Sequence, residues 1–319
     1  MERIDSLPLV EKYRPSHLDG IISQNDIVGN IMQLLDNGKL PHLLFYGSSG
    51  SGKTTTIIAY ARQLYGEKYK SMILELNGSD DRGINVIRDQ IKEFAGTEQP
   101  LQRGIKLIIL DEADSMTYDA QFALRRVMEL YTYNTRFCLI CNYLNKIIPA
   151  IKSRCTQFRF SPLDDVSISN KLQEVCDYEE IPFTIDGINA IIRLGEGDMR
   201  KCYNLLQSTY MSFQQVNEIS VYKCTGDPLP SDINKIFNHL LTSDFNTCYD
   251  YILKVKTKKG LALVDIIKHL TEKVELSDIK DIKKANLFIH MADIECKLSL
   301  SSLETLQLGA LVSCFILNR

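Results

Sequence analysis

The stretch 41-PHLLFYGSSGSGKTTT-56 decides the fold. Its first half is an apolar run without polar alternation, as in strands buried on both faces of a parallel sheet. Its second half is the pattern Gly47-x-x-x-x-Gly52-Lys53-Thr54. Glycines at 47, 50 and 52 let backbone N–H groups converge on an anion. A helix starting near Lys53 presents its positive end to the same place. Lys53 then reaches the β and γ phosphates of a nucleotide, and the Thr54 hydroxyl can ligate Mg²⁺. The phosphate cradle comprises Gly47, Ser48, Ser49, Gly50, Ser51, Gly52, Lys53, Thr54 and Thr55.

A second stretch, 107-LIILDEAD-114, runs an apolar strand into adjacent carboxylates. Asp111 falls at the carboxyl end of that strand, where open α/β sheets bind ligands. It is the expected Mg²⁺ ligand, directly or through water. Glu112 is placed to orient and deprotonate an attacking water. An acid pair ending a buried strand is ambiguous alone; beside the phosphate loop it completes a site for ATP and Mg²⁺. DEAD does not indicate a DEAD-box helicase, since companion motifs such as Ser-Ala-Thr are missing.

Outward from these stretches, residues 42–160 alternate apolar runs with helical patterns. Strands are expected at 42–46, 72–76, 106–110, 136–141 and 156–160, and helices near 53–65, 84–95, 117–130 and 147–152. This is a doubly wound α/β domain. After Pro162 helical periodicity takes over, at 164–180, 185–194 and 198–213. The run 225-TGDPLP-230 is a strong break, and helices follow near 231–241, 245–256, 261–275, 281–298 and 302–317. The expected domains are 1–161, 162–226 and 227–319.

With 319 residues, 45% hydrophobic and 24% charged, the composition is that of a soluble globular chain. No run approaches the roughly 18 apolar residues of a membrane span, and the charged N-terminus does not read as a signal peptide. An intracellular protein is expected. The nine cysteines are scattered, and Cys138 and Cys141 fall within one buried strand, so neither redox chemistry nor zinc is expected there. His17, His42, His239, His269 and His290 lack metal-ligand spacing. The net charge of −3 exerts no global pull on nucleic acid.

On these motifs the chain resembles the AAA+ ATPases, and within them the small subunits of replication factor C, the eukaryotic sliding-clamp loader. The resemblance is carried by the phosphate loop with EKYRP (11–15), LELNGSDDRGI (74–84), LIILDEADSMT (107–117), AQFALRRVME (120–129), TRFCLICNYLNKIIPAIKSRC (135–155), GDMRK (197–201), CTGDPLPSDI (224–233) and KTKKGLALVDII (256–267). It implies a P-loop AAA+ domain, a helical lid and an all-α collar that joins subunits into a ring. It also implies that Asn142 is sensor 1, holding water or the γ-phosphate. Arg200 is sensor 2, coupling nucleotide state to lid closure. Arg154 becomes an arginine finger acting on a neighbouring subunit's ATP, and Tyr13, Arg14 and Pro15 pack on adenine. Arg82, Arg88 and Lys146 would track the DNA backbone, with affinity but no sequence reading. No aromatics interleave with these charges, so base stacking is not expected. Met116, Tyr118 and Phe122 are either clamp contacts or core. Lys254, Lys256, Lys258 and Lys259 are expected to face solvent.

The implied partners are the other replication factor C subunits, large and small, the sliding clamp PCNA and primer–template DNA. Alternative clamp-loader large subunits are further candidates; a membrane is not. The implied location is the nucleus. Two departures from the family stand out. Ser48 and Ser49 replace the usual prolines, which should loosen the empty loop, and Gly78 replaces an alanine without clear consequence. The expected activity is ATP hydrolysis, mainly within the assembled complex. A non-hydrolysing structural subunit and another DNA-remodelling AAA+ motor are the rival readings.

Overall fold

The apolar runs form five strands: β1 (His42–Gly47), β2 (Ile73–Asn77), β3 (Lys106–Asp111), β4 (Thr135–Cys141) and β5 (Cys155–Phe160). The computed structural model in which they are seen describes residues 7–36, 40–79, 83–96, 105–300 and 303–319. The strands pair in parallel, in the order β2-β3-β4-β1-β5. Side chains sort by parity. Leu43, Phe45, Leu107, Ile109, Cys138 and Ile140 enter one core, while Leu44, Ile108, Leu110, Phe137, Leu139 and Cys141 enter a second. Successive Cβ atoms point to opposite sides of a strand, so both faces are apolar and no alternation shows in the sequence. The same parity separates Cys138 from Cys141, which excludes a metal or disulfide pair.

Helices Lys53–Tyr65, Gly83–Gly96, Tyr118–Tyr131 and Pro149–Lys152 connect the strands at the expected places. Among the described residues before β5, three helices were not expected: Leu9–Lys12, Asn25–Asp36 and Tyr69–Met72. The second of these packs Ile27, Val28 and Ile31 against the first core; Gly29 weakens its local signal. After β5 come Asp165–Tyr178, Ile185–Gly195 and Met199–Phe213. The first two are capped by Asp164 and Thr184, whose side chains accept from Ser167 N at 2.9 Å and Gly187 N at 3.1 Å.

The chain divides into two compact units, 1–211 and 212–319. In the second, an unexpected helix, Glu218–Thr225, opens with a capping box between Asn217 and Ser220. Gly226, at φ +79°, ends it, and Pro230 starts Pro230–Thr242, so the Gly-Asp-Pro break separates two helices. Phe245–Lys259, Leu263–Leu276, Asp281–Ser299 and Glu304–Leu317 follow. One core, including Ile236, Ile252, Ile266, Leu270 and Leu311, joins these helices. Two of the four lysines expected in solvent are engaged: Lys256 pairs with Glu304, and Lys259 with Asp232 at 2.5 Å. Among the described residues no helix is long and apolar enough to cross a membrane.

Candidate functional site

β1 delivers the chain into the glycine loop at the carboxyl end of the sheet. Gly47, Gly50 and Gly52 have φ of +147°, +63° and +93°. At Gly47 a Cβ would lie 2.0 Å from the Phe160 carbonyl oxygen, so both backbone and space demand glycine there. Ser48 and Ser49 are exposed. The Ser48 carbonyl accepts from Ser51 Oγ at 2.8 Å and from Lys53 Nζ at 2.7 Å. Lys53 Nζ also donates to Gly47 O at 2.9 Å and to Asn142 Oδ1 at 3.0 Å. All three ammonium protons are therefore taken. Lys53 is only 7% exposed. Burial lowers its pKa, attraction to Asp111 opposes the shift, and Arg200 adds repulsion. A desolvated cation beside a second cation gains much from an incoming polyanion.

Across the loop, Thr54 Oγ1 donates to Asp111 Oδ2 at 2.7 Å. These are hard oxygen donors of the kind Mg²⁺ takes, so the residues present fit a metal–nucleotide. Glu112 N donates to Asp111 Oδ1 at 2.9 Å. Glu112 itself is exposed and left-handed, at φ +51°, ψ +40°, a conformation of the strained sort found at functional sites. Gly78 corrects the sequence expectation: a Cβ there would lie 2.7 Å from Glu112 O and 3.0 Å from Met116 Cγ. Its N–H donates to Asp111 O at 2.7 Å, so glycine lets β2 close against the acid loop.

Asp114 was missed as a site residue, although it stands in the same motif. Its Oδ2 accepts from Asn142 N at 3.3 Å and Tyr143 N at 3.1 Å, tying the turn after β4 to the turn after β3. Gln121, also missed, is 2% exposed. Its amide donates to Met116 O at 3.3 Å and Lys146 O at 3.0 Å and accepts from Ile148 N at 2.9 Å. A lone glutamine in a helix gives no sequence signal; its burial does.

Beside the loop lies a cleft whose lining includes Tyr13, Arg14, Pro15, Gly50, Gly52 and Thr55. Met199, Arg200 and Tyr203 of the lid complete it. The segment bearing Tyr13 is strapped to the lid. Tyr13 Oη donates to Glu179, Lys12 pairs with Glu179 at 2.9 Å, and Leu9 N donates to Gln207 Oε1 at 3.1 Å. Burial, reinforced by Glu179, raises the Tyr13 pKa, so its phenol stays a neutral donor. Tyr203 stands 6.2 Å from the Tyr13 ring. Arg14 pairs with Glu11 at 3.5 Å.

Among the described residues the cleft lining does not include Arg154. Its guanidinium donates to Ala150 O at 2.6 Å and pairs with Glu129, which Arg125 also holds at 3.1 Å. Tyr118 and Phe122 are 65% and 51% exposed, so they are not core, whereas Met116 packs against the second core. Lys146 is exposed, its Nζ 5.0 Å from the Tyr143 ring, so an exposed aromatic does accompany this charge. Arg82 and the Arg88 side chain lie outside the described residues.

Two family models match this chain, and curated relatives resemble it over nearly its whole length. Residues 43–163 match the family model "ATPase family associated with various cellular activities (AAA)", and residues 228–314 match "Replication factor C C-terminal domain". The chain is 52% identical to probable replication factor C subunit 5 of Dictyostelium discoideum, covering 100% of this chain and 93% of that one. It is 50% identical to replication factor C subunit 5 of Homo sapiens, covering 99% and 94%. For replication factor C subunit 3 of Saccharomyces cerevisiae the figures are 44%, 97% and 92%. Among solved structures, the Thermotoga maritima RuvB Holliday junction branch migration motor is similar in fold, with a TM-score of 0.53 at 15% identity over 79% of this chain and 88% of that one. A likeness that runs the full length at half identity, through both family domains and over an intact nucleotide loop, places this chain in the replication factor C subunit family of AAA ATPases.

Proposed function

We propose that this chain is an ATP-hydrolysing small subunit of a heteropentameric clamp loader, which opens the sliding clamp PCNA and loads it onto primer–template DNA in the nucleus. The observation that carries this reading is the convergence of Lys53, Thr54, Asp111, Asn142 and the lid's Arg200 around one loop. Thr54 and Asp111 would hold Mg²⁺, which supplies charge neutralisation at the phosphates. Lys53 exchanges carbonyl partners for phosphate oxygens. Glu112, exposed at the strand end, accepts the proton of the attacking water. Asn142, oriented by Asp114 and touching Lys53, positions that water. Tyr13, Arg14 and Pro15 form the wall against which the adenine packs.

Arg154 stands apart from its own chain's cleft, which fits a finger that acts on a neighbouring subunit's nucleotide. The catalytic group is then split between chains, and the isolated chain turns over slowly. Tyr118 and Phe122 offer an exposed apolar pair to the clamp, and Lys146 a backbone contact to DNA. The other replication factor C subunits, including alternative large subunits, are the partners of the C-terminal helical block.

The test is ATP hydrolysis by the reconstituted pentamer, with and without clamp and primed DNA, in wild type and Arg154→Ala. Stimulation that drops in the variant, by about 10³-fold or more at the affected site, supports the reading. Unchanged turnover makes Arg154 structural. No hydrolysis at this chain's site, despite binding, supports a structural nucleotide-holding subunit. Assembly into a homohexamer that ignores the clamp supports a branch-migration-type motor.

A further inference from the structure

The lid comes against the phosphate loop at Gly50. Gly50 sits in the loop at φ +63°, facing the start of the lid helix Met199–Phe213. A Cβ built on Gly50 would lie 1.8 Å from Asp198 Oδ1, 2.2 Å from its Cγ and 2.8 Å from its Oδ2. Asp198 is fixed from its own side as well. Its Oδ1 accepts from Arg200 N at 2.9 Å and Lys201 N at 3.2 Å, and its backbone N donates to Gly195 O at 3.0 Å. The carboxylate thus caps the helix and cannot swing from the loop without uncapping it.

We infer that Asp198 is a positioning residue: a spacer that seats the lid helix on Gly50 and so sets the height of Arg200 above the phosphates. The inference rests on the nucleotide reading of the cleft. Because Asp198 occupies the first amides of this helix, phosphate recognition by the lid falls to the Arg200 side chain. Glycine at position 50 is required by the lid as well as by the loop's own conformation. Gly52 shows the difference, since its φ is +93° yet a Cβ there meets nothing within 4 Å.

The test titrates the full-length chain with a fluorescent N-methylanthraniloyl-ATP, with thermal melting as the check on folding. Gly50→Ala should weaken binding about tenfold or more, and Asp198→Ala alone a few-fold. The double variant Gly50→Ala/Asp198→Ala should bind about fivefold tighter than Gly50→Ala, because truncating Asp198 to Cβ removes all three atoms nearest the new methyl. Asp198→Ala should give no such recovery in Gly52→Ala. A merely structural Asp198 would make every combination worse, and that result, or equal recovery of Gly52→Ala, overturns the inference. If Gly50→Ala does not fold, side-chain length decides instead. Asp198→Asn keeps cap and reach and should stay within about twofold of wild type, whereas Asp198→Glu should lose about tenfold by lifting the lid. Equal affinities for those two overturn the spacer. A wild-type chain that does not bind the probe overturns the nucleotide reading and the spacer together; binding without these differences overturns the spacer alone.

Discussion

At the scale of the residue, Lys53 and Glu112 do different work and should separate in experiment. Lys53 is buried, with three acceptors and no carboxylate among its hydrogen-bond partners. Lys53→Ala should weaken ATP binding about a hundredfold, the roughly 2–3 kcal/mol of a desolvated charge contact, as read by equilibrium titration. Glu112 is exposed, and among the described residues its side chain makes no hydrogen bond or ion pair. Glu112→Gln should leave ATP affinity within about twofold and lower the turnover of the assembled complex by about 10²–10⁴. Single-turnover hydrolysis against binding checks both. Legibility differed in the same way. Lys53, Thr54, Asp111 and Glu112 lie in contiguous motifs whose spacing dictates local geometry. Asp114 and Asp198 lie in motifs too, but their roles are contacts to other elements, and nothing in their own spacing announces those contacts.

At the scale of the element, β1 depends on a neutral imidazole. His42 starts the strand at 9% exposure, and its Nδ1 accepts from Phe137 N of β4 at 3.1 Å. Its ring lies 5.6 Å from the Phe137 ring. Burial, with a smaller push from Arg136, lowers its pKa to about 4. The unfolded chain takes the proton near 6.5, the folded chain only near 4, so acid favours unfolding. The contribution is complete above pH 6.5 and is lost as pH falls toward 4, by roughly 3 kcal/mol at most. The urea midpoint of the wild type should fall between about pH 7 and about pH 5, and His42→Gln should flatten that step. The strands and the main connecting helices were legible because their patterns are long. Asn25–Asp36 and Glu218–Thr225 were not, the first weakened by glycine and the second only two turns long, with Asn217 as its one plain start signal.

At the scale of the molecule, the proposed contact with DNA should be electrostatic and sequence-independent. Lys146 lies on the turn after β4, exposed and stacked on Tyr143. Lys146→Ala should lower affinity similarly for unrelated sequences and reduce the slope of log K against log salt by about 1. Fluorescence anisotropy over a salt series reads this directly. An unchanged slope would assign Lys146 to another role. The exposed Tyr143 beside it was not expected, because residues three apart are neighbours only where the chain coils, and the single turn Leu144–Lys146 is too short to leave a periodic signal.

The sequence alone determined the parallel sheet, the phosphate loop and the acid that faces it. Each rests on patterns whose physics is local: parity along a strand, positive φ at glycine, and a helix beginning at Lys53. Only the tertiary structure decided that Lys53 touches Asn142, 89 residues away, that Tyr13 is strapped to Glu179, and that Asp198 bears on Gly50. Those contacts depend on how separate elements pack. Packing sums many weak, non-directional contacts from distant positions, so no short stretch of sequence carries it.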